Sequence, residues 1–289
     1  MATTTTQPPP PKKGMTRRQR AKYFRWIQYA IGIIILIVIA FLADWKAFAN
    51  AFLNVQVALK MFPEVITTGL KNTLIYTVLA FIFGFVLGVI IALMRLSSVR
   101  VYRVLGGAYV ELFRGLPSLL VLFLVALGIP RAFPGFQFPG GFYGQVMVGL
   151  GLTAAAYMAE TIRAGIQAVP KGQVEAAYAL GMRKSAVMRI VQLPQAIKIM
   201  TPAIISQCIV ALKDTSLGYI IVAPGLTYAG RQIWREFDNH LQVALVLGAI
   251  YIILNLCLEQ LGRFAQRRLT ESRTVQGDAG ADDATLAVR

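Results

Sequence analysis

Long, mostly apolar runs alternate along this chain with short polar and basic stretches, and the runs occupy residues 26–43, 72–94, 104–129, 142–168, 197–222 and 240–258. Each comes close to the roughly 20 apolar residues that an α-helix needs to cross a bilayer, so the pattern predicts an all-α polytopic membrane protein with about six transmembrane helices. Trp26 and Tyr29 on one side of the first run, and Trp45 on the other, stand where amphipathic aromatics mark a membrane interface. The second helix is expected to reach back to about Glu64, and its Gly69, Gly84 and Gly88 form notches where another helix can approach closely. Glu111 with Arg114 in the third run, and Glu160 with Arg163 in the fourth, have the three-residue offset of a helix-surface ion pair. The fifth run is interrupted by Lys213, Asp214, Thr215 and Ser216. Residues 44–63, 130–141 and 224–239 read as external connections, the middle one dense in Pro, Gly and Phe.

Composition supports a membrane protein and removes other classes. The 289 residues are 56% hydrophobic with a mean hydropathy of +0.61, far from an ordinary soluble domain. The formal charge of +16 suits cytoplasmic loops and anionic lipid better than nucleic acid, which is not expected as a partner. Lys and Arg concentrate in residues 1–25, at Arg95, Arg100 and Arg103, between Lys171 and Lys198, and from Arg263 to Arg273. The positive-inside rule therefore puts both termini in the cytoplasm. Residues 1–25, Thr- and Pro-rich and then basic, and the tail 269–289 are expected to be disordered, and no cleavable signal peptide is expected. Cys208 and Cys257 lie in apolar segments with no neighbouring Cys or His, so no metal site is expected.

The longest polar stretch on the basic side, residues 172–196, carries the most readable chemistry. Strong helix formers run from Glu175 to Leu180, and Gly181 follows where a helix needs a left-handed residue to end. A second short helix is expected from Ser185 to Leu193, stopped by Pro194. Small Ala176, Ala177 and Ala179 suit insertion into a groove on a partner, with Glu175, Arg183 and Lys184 available for charged contacts. An amphipathic helix lying on the bilayer would use the same residue types.

Glu175, Ala176, Ala177, Gly181, Ile190, Leu193 and Pro194 together resemble the EAA motif of the membrane-spanning subunits of bacterial ABC importers. The stretches 69–74 (GLKNTL), 109–117 (YVELFRGLP), 156–165 (AYMAETIRAG), 171–179 (KGQVEAAYA), 193–196 (LPQA) and 213–217 (KDTSL) narrow this to polar amino acid permeases of the histidine, glutamine, glutamate and arginine type, with a glutamate-like member preferred. The resemblance implies a type I importer bundle over residues 64–268, with a coupling-helix loop at 169–196 and an extra transmembrane helix and external connection at 26–63. It implies no catalytic residue in this chain. No phosphate-binding loop occurs in the sequence, so ATP and Mg are expected on a partner ABC ATPase dimer. A second permease subunit, a related chain in preference to another copy, and an extracytoplasmic amino acid binding protein are the other implied partners. Coupling is expected through Glu175, Ala176, Ala177, Ala179, Leu180, Gly181, Arg183 and Lys184.

For the substrate, Asp214 within the fifth span is the foremost candidate, with Thr215, Ser216, Asn72 and Thr73 around it, because intramembrane polar groups mark a pathway or a pairing. The alternative for Asp214 is an ion pair that holds the bundle, and for Asn72 and Thr73 interhelical hydrogen bonds. Where such permeases commonly carry Thr and Gln, this chain has Leu116 and Val121, and Leu217 adds no second carboxylate near Asp214. Glutamate or glutamine is thus preferred over arginine. A passive channel or scaffold is the reading from another class; it would need no docking helix.

Overall fold

The structure, a computed structural model, describes residues 17–271, and contacts divide the chain into two units, residues 1–53 and 54–289. Residues 1–16 and 272–289, expected to be disordered, lie outside the described residues. The expectation of disorder does not hold for residues 17–25, which open the first helix, α1 (Arg17–Leu42), nor for residues 269–271 of the expected tail, which end the last helix. Arg, Lys, Gln and Ala have high helix propensity, so the basic segment continues the apolar helix behind it. α2 (Trp45–Phe52) follows a sharp break at Asp44, whose Oδ1 accepts from the backbone N–H groups of Lys46 at 3.0 Å and Ala47 at 2.9 Å.

The second unit begins with α3 (Val55–Glu64), capped by Asn54, and a π-helical turn (Val65–Leu70) leads into α4 (Lys71–Leu96). α5 (Arg100–Gly115) and α6 (Ser118–Phe123) are followed by a second wide turn (Leu124–Gly128) and α7 (Ile129–Ala132). α8 (Phe142–Gln167) crosses the core, and α9 (Lys171–Ala179) and α10 (Lys184–Ala186) form the polar loop. A third wide turn (Val187–Gln192) enters α11 (Leu193–Asp214), which tightens into a 3₁₀ segment (Thr215–Ile221) before α12 (Leu226–Phe237) and α13 (His240–Glu271). Among the described residues there is no strand.

Five of these helical stretches are long and apolar enough to cross a membrane, and the sixth expected span is the bent pair 100–115 and 118–132, which turns by 104°. The third span is therefore broken rather than continuous. Pro117 disfavours the helical region for the residue before it, and Leu116 is extended at φ −94°, ψ 137°. Glu111 and Arg114 both lie on α5, ahead of the break, yet do not form the expected pair: Arg114 lies over the Tyr157 ring at 5.4 Å, and among the described residues no ion pair joins it to Glu111.

Pro194 does not stop its helix either. The preceding wide turn takes the chain out of the i−4 register, and Pro194 becomes an early residue of α11, where its missing N–H is tolerated. Pro130 stands in the same relation to the wide turn 124–128. The expected loop 224–239 is also mostly helix: Leu226, Ala229 and Ile233 of α12 are buried against Val57, Met61, Val243 and Leu247.

The α4–α8 pair is the most extensive contact in the unit. A Cβ on Gly84 would stand 2.8 Å from that of Ala154, and one on Gly88 2.6 Å from that of Met158. Gly69 meets the backbone of Leu226 in the same way, at 3.1 Å. In lipid, where apolar side chains gain nothing by leaving the solvent, such close backbone approach maximises dispersion contact between helices.

Candidate functional site

α6, α8 and α11 converge on a cavity of about 320 Å³. Leu150, Ala154, Val210 and Ala211 make its apolar wall, and Ser118, Thr153, Tyr157, Gln207 and Asp214 supply its polar groups. Each arrives there for a local reason. Ser118 opens α6 immediately after the break at Pro117. Thr153 and Tyr157 are one turn apart on α8, and Gln207, Ala211 and Asp214 follow one another at helical spacing along one face of α11.

Asp214 is the last residue of α11, half-buried, with the Ser118 hydroxyl in position to donate to its carboxylate. Among the described residues no ion pair involves it, and adjacent Lys213 is exposed on another side of the helix. An ionised carboxylate without an ion-pair partner among the described residues makes this wall of the cavity favour a cation. Thr153 is buried at 4% exposure, and among the described residues nothing pairs with its hydroxyl. A buried hydroxyl without a partner costs free energy unless a ligand or water completes it.

The other residues singled out around Asp214 have different surroundings. Thr215 is buried and its hydroxyl donates to the carbonyl of Leu212, while Ser216 lies in the 3₁₀ turn beyond the cavity wall. Asn72 donates to the Pro224 carbonyl at 2.6 Å and accepts from the Tyr143 hydroxyl at 2.7 Å. Thr73 accepts from the Leu226 N–H at 2.9 Å. These two side chains therefore brace the segment that leads into α12, and neither lines the cavity. Val121, at the position of the missing Gln, is buried with Val125 and Phe138 in an apolar cluster that Leu116 joins.

Ser118, Thr153, Tyr157 and Gln207 are the cavity residues that sequence reasoning passed over. Gln207 carried a signal, being the only amide in the fifth run between Gln195 and the KDTS interruption. A Thr in an Ala-rich segment and a Tyr in a span carried none.

The polar loop is built around α9. Gly181 is at φ +77°, and the N–H of Gly181 bonds the Tyr178 carbonyl at 2.9 Å while that of Met182 reaches the Ala177 carbonyl at 3.2 Å. This paired closure is a Schellman motif, which a non-glycine residue at Gly181 would strain. Ala177 is buried toward the bundle, so it is not part of an outward docking surface. Glu175, Ala176, Ala179, Leu180, Arg183 and Lys184 are exposed, and Leu180, at 83% exposure, caps the projection with an apolar side chain. Val187 is buried beneath the loop and anchors it.

Residues 84–271 match the family model of the binding-protein-dependent transport system inner membrane component. The arginine transport system permease protein ArtQ of Bacillus subtilis is 35% identical over 204 residues, covering 71% of this chain and 92% of that protein. The glutamate transport system permease protein GluD of Corynebacterium glutamicum is 35% identical over 232 residues, covering 79% and 81%. Among solved structures, that of an amino acid ABC transporter with histidines superposes with a TM-score of 0.69 at 35% identity, covering 75% of this chain and 99% of its own. The MetNI methionine ABC transporter shares the fold, at a TM-score of 0.59 and 23% identity. The chain belongs to the family of binding-protein-dependent transport system inner membrane components, and it is a membrane-spanning transport subunit rather than an enzyme.

Proposed function

We propose that this chain is the permease subunit of an ATP-driven importer of a polar amino acid, working by alternating access around the cavity at Asp214. The observation that carries the reading is a carboxylate without a counter-ion on the cavity wall, in a family of transport subunits. Asp214 takes the α-ammonium of the substrate, and Ser118, at the start of the helical stretch 118–132, receives its carboxylate. Gln207 and Thr153 are left for the side chain. Relatives are named for arginine, cystine, glutamine and glutamate, so the family leaves the choice open. One carboxylate satisfies one ammonium, which favours glutamine or glutamate over a substrate with a second cation. For glutamate, Arg114 over the Tyr157 ring is the cation beside the cavity wall.

Energy enters through α9. The exposed set around Leu180 docks into a separate ATPase dimer that carries ATP and Mg, and the loop stays anchored to the bundle through Ala177 and Val187. A second permease subunit, related but different, completes the pathway, and an extracytoplasmic binding protein delivers the amino acid. Both termini are assigned to the cytoplasm, a reading that the Lys and Arg excess supports.

The test is uptake competition in cells that lack and then regain the chain. Restored uptake of radiolabelled glutamine or glutamate, displaced by the other and not by arginine, supports the assignment. Arginine as the effective competitor overturns the substrate choice, and absence of an ATPase chain from the gently solubilised complex overturns the importer.

A further inference from the structure

The first unit carries a cluster that the transport function does not use. The first acidic residue of the whole chain is Asp44, whereas Lys12, Lys13, Arg17, Arg18, Arg20, Lys22 and Arg25 all precede it. No carboxylate within this stretch is therefore available to neutralise the basic end of α1. Three of its cations are also ordered: Arg18, Lys22 and Arg25 fall within roughly 60° of one another around a helix of about 3.6 residues per turn. Their side chains, with Trp26 and Tyr29, line an open groove of about 520 Å³ on the surface of α1. Arg25 also donates through Nε to the Ala21 carbonyl at 3.4 Å, which holds its guanidinium back along the helix toward the other two cations. Immediately beyond Tyr29 comes the unbroken apolar stretch 30–42.

We propose that this groove is a binding site for the headgroup of an anionic phospholipid. The geometry matches the chemistry at three levels. The apolar stretch of α1 sets the depth of the helix in the bilayer. Trp26 and Tyr29, apolar rings with polar edges, lie at the level of the glycerol backbone and ester groups. Arg18, Lys22 and Arg25 then reach up along the helix with their alkyl stems in the interface and their charges at the phosphate layer. A phosphate diester has oxygens to accept from a guanidinium fork and an ammonium together, and no acidic residue within positions 1–43 competes for that role. The commitment is to a lipid rather than a soluble phosphate because the aromatic half of the groove has no function for an ion without acyl chains.

The experiment uses the full chain carrying Trp45→Phe and Trp234→Phe, so that Trp26 is the sole tryptophan and can be excited selectively, reconstituted in vesicles of brominated and unbrominated lipid. Brominated phosphatidylglycerol is expected to quench Trp26 with an apparent affinity at least about fivefold above that of brominated phosphatidylcholine, the contribution of one Lys or Arg near an anionic surface. In the Arg18→Gln/Lys22→Gln/Arg25→Gln variant the preference should fall to about onefold. Arg17→Gln/Arg20→Gln, which removes charge from other faces of the same turn, should keep most of it. Equal quenching by the two lipids in the parent overturns the site. Equal loss in both variants also overturns it, since the attraction would then be diffuse charge. Inorganic phosphate that abolishes the preference as well as the lipid does would show an ion site instead.

Discussion

Arg95, in the last turn of α4, pairs with Glu160 of α8, a residue 65 positions later, and the same carboxylate also holds Arg163 one turn along its own helix. The three side chains are about three-quarters buried and sit at the end of the α4–α8 packing. One carboxylate thus ties together two helices and two cations, which a helix-surface pair alone would not do.

Glu160→Gln leaves two partly buried guanidinium groups sharing one neutral amide and is expected to cost about 1–3 kcal/mol. The measurement is the thermal midpoint of the detergent-solubilised protein. Arg95→Glu combined with Glu160→Arg should recover part of the loss, and a Glu160→Gln midpoint equal to that of the parent would show that the triad contributes nothing.

The close α4–α8 approach gives a second expectation. Gly88→Val places a Cβ 2.6 Å from that of Met158, and separating α4 from α8 should cost about 1–3 kcal/mol or more. Gly107→Ala on α5, where a Cβ meets nothing within 4 Å, should be neutral or slightly stabilising. Monodisperse protein surviving a heating step reads both, and equal survival of the two variants would contradict the packing argument.

At the polar loop, Gly181→Val forces a β-branched residue to φ +77°, a local cost of about 1–2 kcal/mol, and should disorder the projection without blocking insertion. Gly181→Asn tolerates the left-handed conformation and should keep function. If α9 is the docking point, transport-stimulated ATP hydrolysis in the reconstituted complex falls in the Val variant and in Glu175→Lys, while the Asn variant stays near wild type. Full stimulation with Gly181→Val and Glu175→Lys would remove the loop from the coupling path.

The cavity separates stability from transport. Thr153→Val deletes a buried hydroxyl that has no partner among the described residues, so folding should be unchanged or improved by about 1 kcal/mol. Uptake KM should nevertheless rise, because Thr153 lines the cavity proposed to hold the substrate. Asp214→Asn should lower uptake by about tenfold or more, the loss of one charge-assisted contact of about 1.5–3 kcal/mol. Wild-type uptake kinetics in both variants would rule out the cavity as the substrate site.

Much of this molecule follows from local pattern. Span number and approximate position came from run length, and Gly84 and Gly88 declared themselves as notches because only missing side chains permit that approach. Gly181 announced the end of α9, since a left-handed residue after strong helix formers has a local cause. Reading failed where two local rules met. Pro117 and Pro194 are the same residue type beside helical segments, yet one breaks its helix by 104° and the other begins one. The wide turn before Pro194 makes the difference, and its hydrogen-bond register is not encoded by any single residue.

By itself, then, the sequence determined a basic-sided helical membrane subunit, its small-residue contacts and its projecting loop, all properties of neighbours along the chain. Only the tertiary structure decided which polar groups share a space. It brought Ser118, Thr153, Tyr157 and Gln207 to Asp214 and took Asn72 and Thr73 away to Pro224 and Leu226. The reason is physical: a polar side chain within a span must be satisfied, and whether a helix, a loop carbonyl or a cavity meets that need depends on how helices far apart in sequence are rotated against one another.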